Sequence, residues 1–427
     1  MFNLSPGKEE IMHKPLDGLF LSTREQIDEE EQRIVNTVRQ WADREIIAKR
    51  LAYLENYEHE FAAKRRMILM DIGLQRLVLS EVNGGFGWNS NTRAPGLAAV
   101  LMEIGRADAA IAYLSALQFT TILACAAEDK TFAGALISNF YSTDQPVNPA
   151  LILPGPGTLD EQTPLFFGRA INVRLVHESE SNIVIGKNIR PTGCGAIADH
   201  FCVVCADSSG KPMVSIVSAD TQGVQKGNIL KETGLNACKN ADVTFNNVKL
   251  PQAAILEGNE VVERIYIWLN LLLAATSVGA AMNFFEIVYD WANTRTIKGG
   301  SIMKENPLCA SVLADVAEEI AIARFLTDDI ARLIAMMASP HSPELQHVYT
   351  MSQIVGYRIQ QGTLRAVNRG MELMGSAGYA REWHAEKHWR DIKTIQSYLC
   401  GAGAEVPVKM DTARFFFDCK EIQGGQS

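Results

Sequence analysis

Helical periodicity at both ends of the chain flanks a middle stretch with a different pattern. From 24 to 140 the apolar residues recur at helical spacing, with clear segments around 60–79 and 95–127. Ser22-Thr23-Arg24-Glu25 has the composition of a helix N-terminus, which predicts a first helix through EEEQRIVNTVRQWADREI. The Gly-Gly-Phe-Gly turn at 84–87 interrupts this series. The first third of the chain is therefore predicted to be helical.

The middle of the chain predicts a sheet. From about 147 to 250, short β-branched runs such as ALILP, HFCVVCAD and PMVSIVSAD alternate with turn residues, which indicates a small antiparallel β domain. Helical periodicity then returns in four segments, 260–294, 306–338, 342–374 and 384–397. We predict an α+β fold with an N-terminal helical domain, a middle β domain and a C-terminal four-helix bundle. The expected boundaries are 1–145, 146–255 and 256–427.

Composition narrows the class of protein. The formal net charge of −9 and the absence of a Lys/Arg run argue against nucleic-acid binding. The N-terminus is polar and lacks the apolar core of a signal peptide, so the eight cysteines are expected to be reduced thiols in a cytoplasmic protein. Cys202 and Cys205 lie on a predicted strand, where residues three apart point to opposite faces, and they should not form a metal clip.

Two segments could suggest other roles. Residues 265–285 are apolar enough for a membrane span, but Asn270, Asn283 and many small residues favour a core helix buried within a bundle. His384 and His388 are four residues apart on a predicted helix, a spacing that suits a metal ion. We expect that segment to be a surface helix without metal.

Two distant stretches resemble the acyl-CoA dehydrogenase family. MELMGSAGYAREWHAEKHWRDIKT, residues 371–394, is similar without a gap to the family's late signature of a glycine-rich turn, an acidic helix and Arg-Asp. IGKNIRPTGCGAIADHFCVV and GNILKETGLNACKNADVTFNNVKLP resemble strands of the family's β domain, and the helix before Arg295 resembles the one that ends in its Arg-x-x-Phe-Gly element. The resemblance implies the same three-domain fold, bound FAD, an acyl-CoA substrate, and assembly as a homodimer or homotetramer.

The resemblance also implies which residues contact FAD. ILPGPGTLD takes the place of the family's glycine-rich pyrophosphate loop, which assigns Gly155 and Thr158 to the cofactor. Thr192 retains the hydroxyl that the family places beside the flavin ring, whereas Arg190 replaces the Trp that covers one face of that ring. Two orientations are open for Arg190, because its side chain can stack on the flavin or point into solvent.

Further cofactor contacts are implied for a neighbouring subunit. Arg295 matches the arginine that reaches the FAD pyrophosphate of that subunit, although a cation at a helix C-terminus would also explain it. Gly375 and Ser376 match the contacts on the adenine side. Glu372 replaces the preceding Gln of the family and adds a negative charge there.

The catalytic glutamate of the family is missing. The position nine residues after Arg390 is Leu399, and the alternative position used by some branches is Leu269; neither side chain can accept a proton. Tyr398 and Cys400 are the titratable groups nearest to Leu399, and both are weak candidates.

Several activities remain compatible with this departure. An unusual acyl-CoA, cyclic or derived from an aromatic compound, could be dehydrogenated with a base from another loop, with electrons passing to an electron-transfer flavoprotein. The chain could also be a non-catalytic subunit of a hetero-oligomer. Acyl-CoA decarboxylation or desulfination and flavin monooxygenation are further alternatives on the same fold. The acyl group and the electron acceptor cannot be read from pocket residues in a single sequence.

Overall fold

The computed structural model describes residues 27–125, 132–155, 163–297, 299–339 and 342–419, and it confirms the predicted α–β–α order. Within these ranges, six α-helices precede the sheet: α1 (Glu29–Trp41), α2 (Arg50–Glu55), α3 (Tyr57–Arg66), α4 (Ala94–Ala107), α5 (Ala109–Cys125) and α6 (Phe132–Tyr141). In the described residues after the sheet there are five: α7 (Asn259–Thr294), α8 (Pro307–Ala335), α9 (Leu345–Met374), α10 (Ala385–Cys400) and α11 (Ala402–Phe417). The numerical domain boundaries given above remain predictions.

The first described helix begins with a capping box. The side chain of Asp28 accepts a hydrogen bond from the N–H of Glu31 at 2.8 Å, and Glu31 Oε2 accepts one from the N–H of Asp28 at 2.9 Å. These two bonds satisfy backbone donors that a helix start would otherwise leave free. The cap predicted at 22–25 lies outside the described residues, and the helix α1 begins at Glu29.

The predicted helical segment at 95–127 consists of two helices. Asp108 separates α4 from α5, and its Oδ1 accepts hydrogen bonds from the N–H groups of Ala110 and Ile111 at 2.8 and 3.2 Å. A carboxylate that binds these donors starts a new helix. All 17 residues of α5 are buried, so this helix forms part of the protein core.

Helix α7 also belongs to the core. Among the described residues it is the one helix long and apolar enough to cross a membrane, and 83% of its most apolar window is buried inside the protein. It crosses α4 at close range, because a Cβ on Gly279 would lie 2.0 Å from the backbone oxygen of Met102. This packing confirms the prediction of a buried helix for 265–285.

The middle region forms a nine-stranded sheet and a separate hairpin. The sheet strands are β1 (Pro149–Ile152), β4 (Arg174–His177), β5 (Ser181–Ile189), β6 (Thr192–Gly193), β7 (His200–Ala206), β8 (Pro212–Ser218), β9 (Val224–Lys226), β10 (Val243–Pro251) and β11 (Ile255–Glu257). The hairpin pairs β2 (Leu165–Phe166) with β3 (Arg169–Ala170). The pairings of β7 with β1 and β4 are parallel, so the sheet is mixed where the sequence predicted an antiparallel one.

Buried charge joins the β2–β3 hairpin to the C-terminal helices. Arg169 Nη2 on β3 lies 2.8 Å from Asp411 Oδ2 on α11, and the hydroxyl of Tyr349 on α9 donates to the same oxygen at 3.0 Å. Arg414 also pairs with Asp411. The guanidinium of Arg169 lies over the ring of Tyr266 on α7. These contacts hold the hairpin against three helices.

Helix α10 corrects the expectation of a surface helix at His384–His388. His388 is buried and its Nε2 lies 3.1 Å from Asn283 Oδ1 on α7, whereas His384 precedes the helix with φ of 61°. Burial lowers the pKa of the His388 imidazole, which favours the neutral form. Lys387 and Asp391 on the same helix are buried as well.

The cysteines described here are free thiols. Cys202 and Cys205 are both buried in β7, and Cys202 Sγ lies 3.7 Å from Cys125 Sγ. No group of three or more His, Cys, Asp or Glu side chains arranged to hold a metal ion occurs within the described ranges. The buried cysteines pack as apolar side chains.

Candidate functional site

Three of the predicted cofactor residues follow the ends of β1 and β5: Gly155, Arg190 and Thr192. Strand β1 pairs with β6, so that Leu151 faces Thr192 across the pair. Gly155 follows β1, and it exchanges two backbone hydrogen bonds with Ala170 on the hairpin, at 3.0 and 2.9 Å. No atom lies within 4 Å of the place where a Cβ on Gly155 would stand. Thr158 lies outside the described residues.

Thr192 places a hydroxyl at this position. The residue is buried, and its side chain makes no hydrogen bond to any residue in the described part of the chain. A hydroxyl can donate one hydrogen bond, so this one can bind a ligand.

Arg190 forms an ion pair. Its Nε lies 2.5 Å from Asp242 Oδ1 and its Nη2 lies 3.2 Å from Asp242 Oδ2, while the side chain stays 53% exposed. Asp242 therefore fixes the direction of the guanidinium. The sequence analysis did not anticipate this ion pair. A planar face remains accessible for contact with a ring.

The positions expected to hold a catalytic base are apolar in the fold as well. Leu269 is fully buried in α7, and Leu399 is half-buried at the end of α10, packed against the core. The Cys400 side chain lies outside the described residues. Tyr398 is the one candidate that makes polar contacts, and they extend to residues that the sequence analysis did not single out.

Tyr398 belongs to a small polar cluster. Its hydroxyl donates to Glu232 Oε1 at 2.5 Å and accepts from Asn240 Nδ2 at 2.7 Å. Its ring stacks on that of Tyr113 from α5, with 6.2 Å between centroids. Asn240 Nδ2 also donates to the backbone oxygen of Pro191 at 3.0 Å, which joins the cluster to the segment between Arg190 and Thr192.

Glu232 is the functional candidate that sequence reasoning missed. It sits in the loop before Gly234, and a Cβ on Gly234 would lie 2.2 Å from the backbone oxygen of Arg390. The glycine therefore lets this loop lie directly on α10. A carboxylate two residues before a glycine is the only signal in the sequence, and it is a weak one.

The remaining cofactor candidates form a second, exposed group. Arg295 is exposed at the end of α7, with its guanidinium over the ring of Trp291, and it makes no ion pair to a described residue. Trp291 in turn contacts Trp383, just after the turn that holds Gly375 and Ser376. Trp383 and Tyr398 lie at opposite ends of α10, roughly 20 Å apart at 1.5 Å per residue. Arg295 and the glycine turn therefore lie away from the Tyr398 cluster.

The turn at Gly375 has room for a ligand. Gly375 adopts φ of +61°, and no atom lies within 4 Å of where its Cβ would stand. The charge of Glu372 is balanced by Arg369, whose Nη1 lies 3.2 Å away, so it does not leave an unpaired negative charge beside the turn.

The residues present fit FAD at both groups. Gly155 and Gly375 provide backbone with open space, and within the described part of the chain the Thr192 hydroxyl makes no hydrogen bond and the Arg295 cation makes no ion pair. The first group would hold the flavin end, and the second would contact the phosphates or adenine of a cofactor in a neighbouring subunit.

Comparison with known proteins identifies the family to which the chain is similar. Residues 28–129 match the family model of the acyl-CoA dehydrogenase N-terminal domain, and residues 258–403 match that of the C-terminal domain. A cyclohex-1-ene-1-carbonyl-CoA dehydrogenase from Syntrophus aciditrophicus is 24% identical over 92% of this chain and 91% of its own length. The enzyme of that name from Geobacter metallireducens is 22% identical, over 91% and 98%.

Solved structures agree on the fold. Glutaryl-CoA dehydrogenase from Mycobacterium smegmatis, in a complex with FADH2, superposes with a TM-score of 0.74 at 17% identity and covers 93% of this chain and 97% of its own. Butyryl-CoA dehydrogenase from Megasphaera elsdenii gives 0.72 at 16% identity, over 91% and 98%. Since the two domain models together match more than half of the residues, the chain belongs to the acyl-CoA dehydrogenase family of FAD flavoproteins.

Proposed function

We propose that this chain catalyses the α,β-dehydrogenation of a cyclic acyl-CoA thioester in the cytoplasm and passes the electrons to an electron-transfer flavoprotein. The family consists of oxidoreductases that act on CH–CH groups. One observation supports a cyclic substrate: two relatives that align over nine-tenths of this chain are both named for a cyclohexene-carbonyl thioester. FAD, when bound, supplies the two-electron acceptor for the hydride that leaves the β carbon.

The described residues supply binding and orientation for this reaction. The hydroxyl of Thr192 can donate to a polar edge of the flavin, and the open backbone at Gly155 allows close approach. The half-buried ring of Tyr398, which stacks on the fully buried ring of Tyr113, would offer an apolar surface to a ring-shaped acyl group.

The substrate class is tested by anaerobic reduction. We expect cyclohexane-1-carbonyl-CoA, a cyclic ester with hydrogen on both its α and β carbons, to bleach the visible absorption of the flavin-loaded protein faster than butyryl-CoA does. Addition of an electron-transfer flavoprotein should then restore the absorption. Faster bleaching by butyryl-CoA would overturn the cyclic substrate, and no bleaching by any ester would overturn the stand-alone dehydrogenase.

A non-catalytic subunit of a hetero-oligomer is the second candidate. The apolar side chains at both Leu269 and Leu399 favour it, because neither position used for a base in the family carries a carboxylate. In that case the purified chain should be colourless and fail to take up added FAD. Co-purification with a homologue that retains the Tyr-Glu-Gly-Thr motif would support this candidate.

Contact with a second copy of the chain is part of the proposal. On α8 the side chains of Ile322 and Phe325, and on α11 those of Phe416 and Phe417, are all more than 40% exposed, as is Met336 directly after α8, an unusual number of large apolar side chains for two helices. We propose a homodimer or homotetramer that covers them. Light scattering on the purified protein gives the mass of the assembly.

Replacing Arg295 with alanine should weaken FAD binding. A charge-assisted hydrogen bond to phosphate contributes about 1.5–3 kcal/mol, so the dissociation constant should rise by roughly 10- to 150-fold. Fluorescence titration of the flavin-free protein with FAD measures this change. Arg332→Ala removes another exposed arginine, one that pairs with Asp329, and should leave the constant unchanged. Equal affinities in the two variants would exclude Arg295 from the cofactor site.

A further inference from the structure

The proposed dehydrogenation needs a group that takes the α-proton of the thioester. The two positions that would supply this group carry hydrocarbon side chains, Leu399 and Leu269. The acceptor must therefore come from elsewhere and lie within hydrogen-bond reach of the substrate. The Tyr398 cluster places a carboxylate next to Leu399.

The hydrogen bonds of this cluster leave the phenol oxygen able to accept a proton. The Tyr398 hydroxyl donates its own proton to Glu232 Oε1 at 2.5 Å and accepts one hydrogen bond, from Asn240 Nδ2 at 2.7 Å. A phenol oxygen has two lone pairs, so one remains free. Glu232 and Tyr398 are both half-buried, which keeps them accessible to a bound molecule.

The backbone around Glu232 is fixed in place. The N–H of Gly234 donates to Thr394 Oγ1 at 3.1 Å, and the N–H of Leu235 donates to Asp391 Oδ1 at 2.8 Å. Asn240 is held on its other side, because its Oδ1 accepts from the N–H of Gly195 at 3.1 Å. Such bonds orient the cluster before any substrate binds, which is the condition for efficient proton transfer.

We propose that Tyr398 accepts the α-proton of the acyl-CoA thioester and passes its own proton to Glu232. The α C–H bond breaks, a new O–H bond forms on Tyr398, and the original phenolic proton moves to Glu232 Oε1. The electron pair of the broken bond enters the new double bond as hydride leaves the β carbon for the flavin. Tyr398 is then the catalytic residue and Glu232 the positioning residue that makes it basic. This inference rests on the proposed function.

The electrostatics agree with this assignment. Burial, followed by the charge of Glu232, raises the pKa of the Tyr398 phenol well above its usual value. Tyr398 therefore remains protonated at neutral pH and can act as a donor to the carboxylate. It transfers a proton without ever existing as a free phenolate.

Hydrogen exchange at the α carbon tests the proton step alone. Tert-butylacetyl-CoA has two α-hydrogens and no β-hydrogen, so it can lose a proton but not a hydride. In D2O, the wild-type protein should incorporate deuterium into it, both with and without FAD. Glu232→Gln and Tyr398→Phe should each slow this exchange by about 100-fold or more, the range for loss of general-base catalysis. Mass spectrometry of the recovered thioester measures the rate.

Matched variants separate catalysis from structure. Glu180→Gln changes an exposed carboxylate of the same β domain and should exchange at the wild-type rate. Glu232→Asp retains a carboxylate and should restore part of the rate lost in E232Q. If Glu232→Asp exchanges as slowly as E232Q, the carboxylate itself does not take the proton and the relay is overturned.

The outcomes distinguish this inference from the proposed function. Cyclic-ester bleaching by the wild type, together with unchanged exchange in E232Q, would overturn the proton relay and leave the dehydrogenase intact. Exchange that depends on Glu232, without bleaching by any ester, would support the relay and overturn the dehydrogenase. No exchange in the wild-type protein would overturn the relay outright.

Discussion

Lys387→Met is expected to lower the free energy of unfolding by about 3–5 kcal/mol, the usual cost of removing one member of a buried ion group. Lys387 Nζ lies 3.0 Å from Asp108 Oδ2 and 2.6 Å from Asp391 Oδ2, and all three side chains are buried. Methionine preserves the length of the side chain but leaves two buried carboxylates without a cation. Urea denaturation followed by circular dichroism measures the loss.

Lys409→Met provides the control for this prediction. Lys409 forms an exposed i,i+4 pair with Glu405, a contact that contributes little to stability because water screens both charges. If K387M and K409M unfold at the same urea concentration, the buried trio does not stabilise the fold. A large loss in K387M alone would show that α5 and α10 are held together by charge.

Elements with one uninterrupted pattern were predicted well. The helix expected at 260–294 spans Asn259–Thr294, because apolar residues recur at helical spacing, with no proline, until the chain turns at Arg295. The segment at 95–127 was predicted as a single stretch because Asp108 interrupts an apolar run without a glycine or proline. Its role as an N-cap depends on the direction of one side chain, which periodicity does not report.

The sequence analysis wrongly predicted that α10 lies at the surface, because the helix is rich in charged residues. HAEKHWRD contains several polar residues and was expected at the surface, yet Lys387, His388 and Asp391 are buried. Their partners are Asp108, directly before α5, and Asn283 on α7, so the polar groups are satisfied inside the protein. Buried ionic groups of this kind cannot be recognised until the partner helix is placed beside them.

The candidate site was predicted where the chemistry is local and missed where it depends on distant contacts. The sequence indicated that the base was absent at Leu399 and that Tyr398 lay beside it. Glu232 is 166 residues from Tyr398 along the chain, and only the packing of its loop on α10 brings the two together. Arg190 was undecided for the same reason, since Asp242 is 52 residues away.

Asp411→Asn should destabilise the β2–β3 hairpin, because Arg169 would stay buried without a carboxylate 2.8 Å away. Breaking such a pair costs about 3–5 kcal/mol, and the hairpin contacts to Tyr349 and Tyr266 should loosen together. Hydrogen exchange at 165–170 should rise while that of α5 stays slow. Asp315→Asn, which removes an exposed carboxylate paired with Arg369, is the matched control and should change neither. Unchanged exchange at the hairpin in D411N would mean that aromatic packing alone holds it in place.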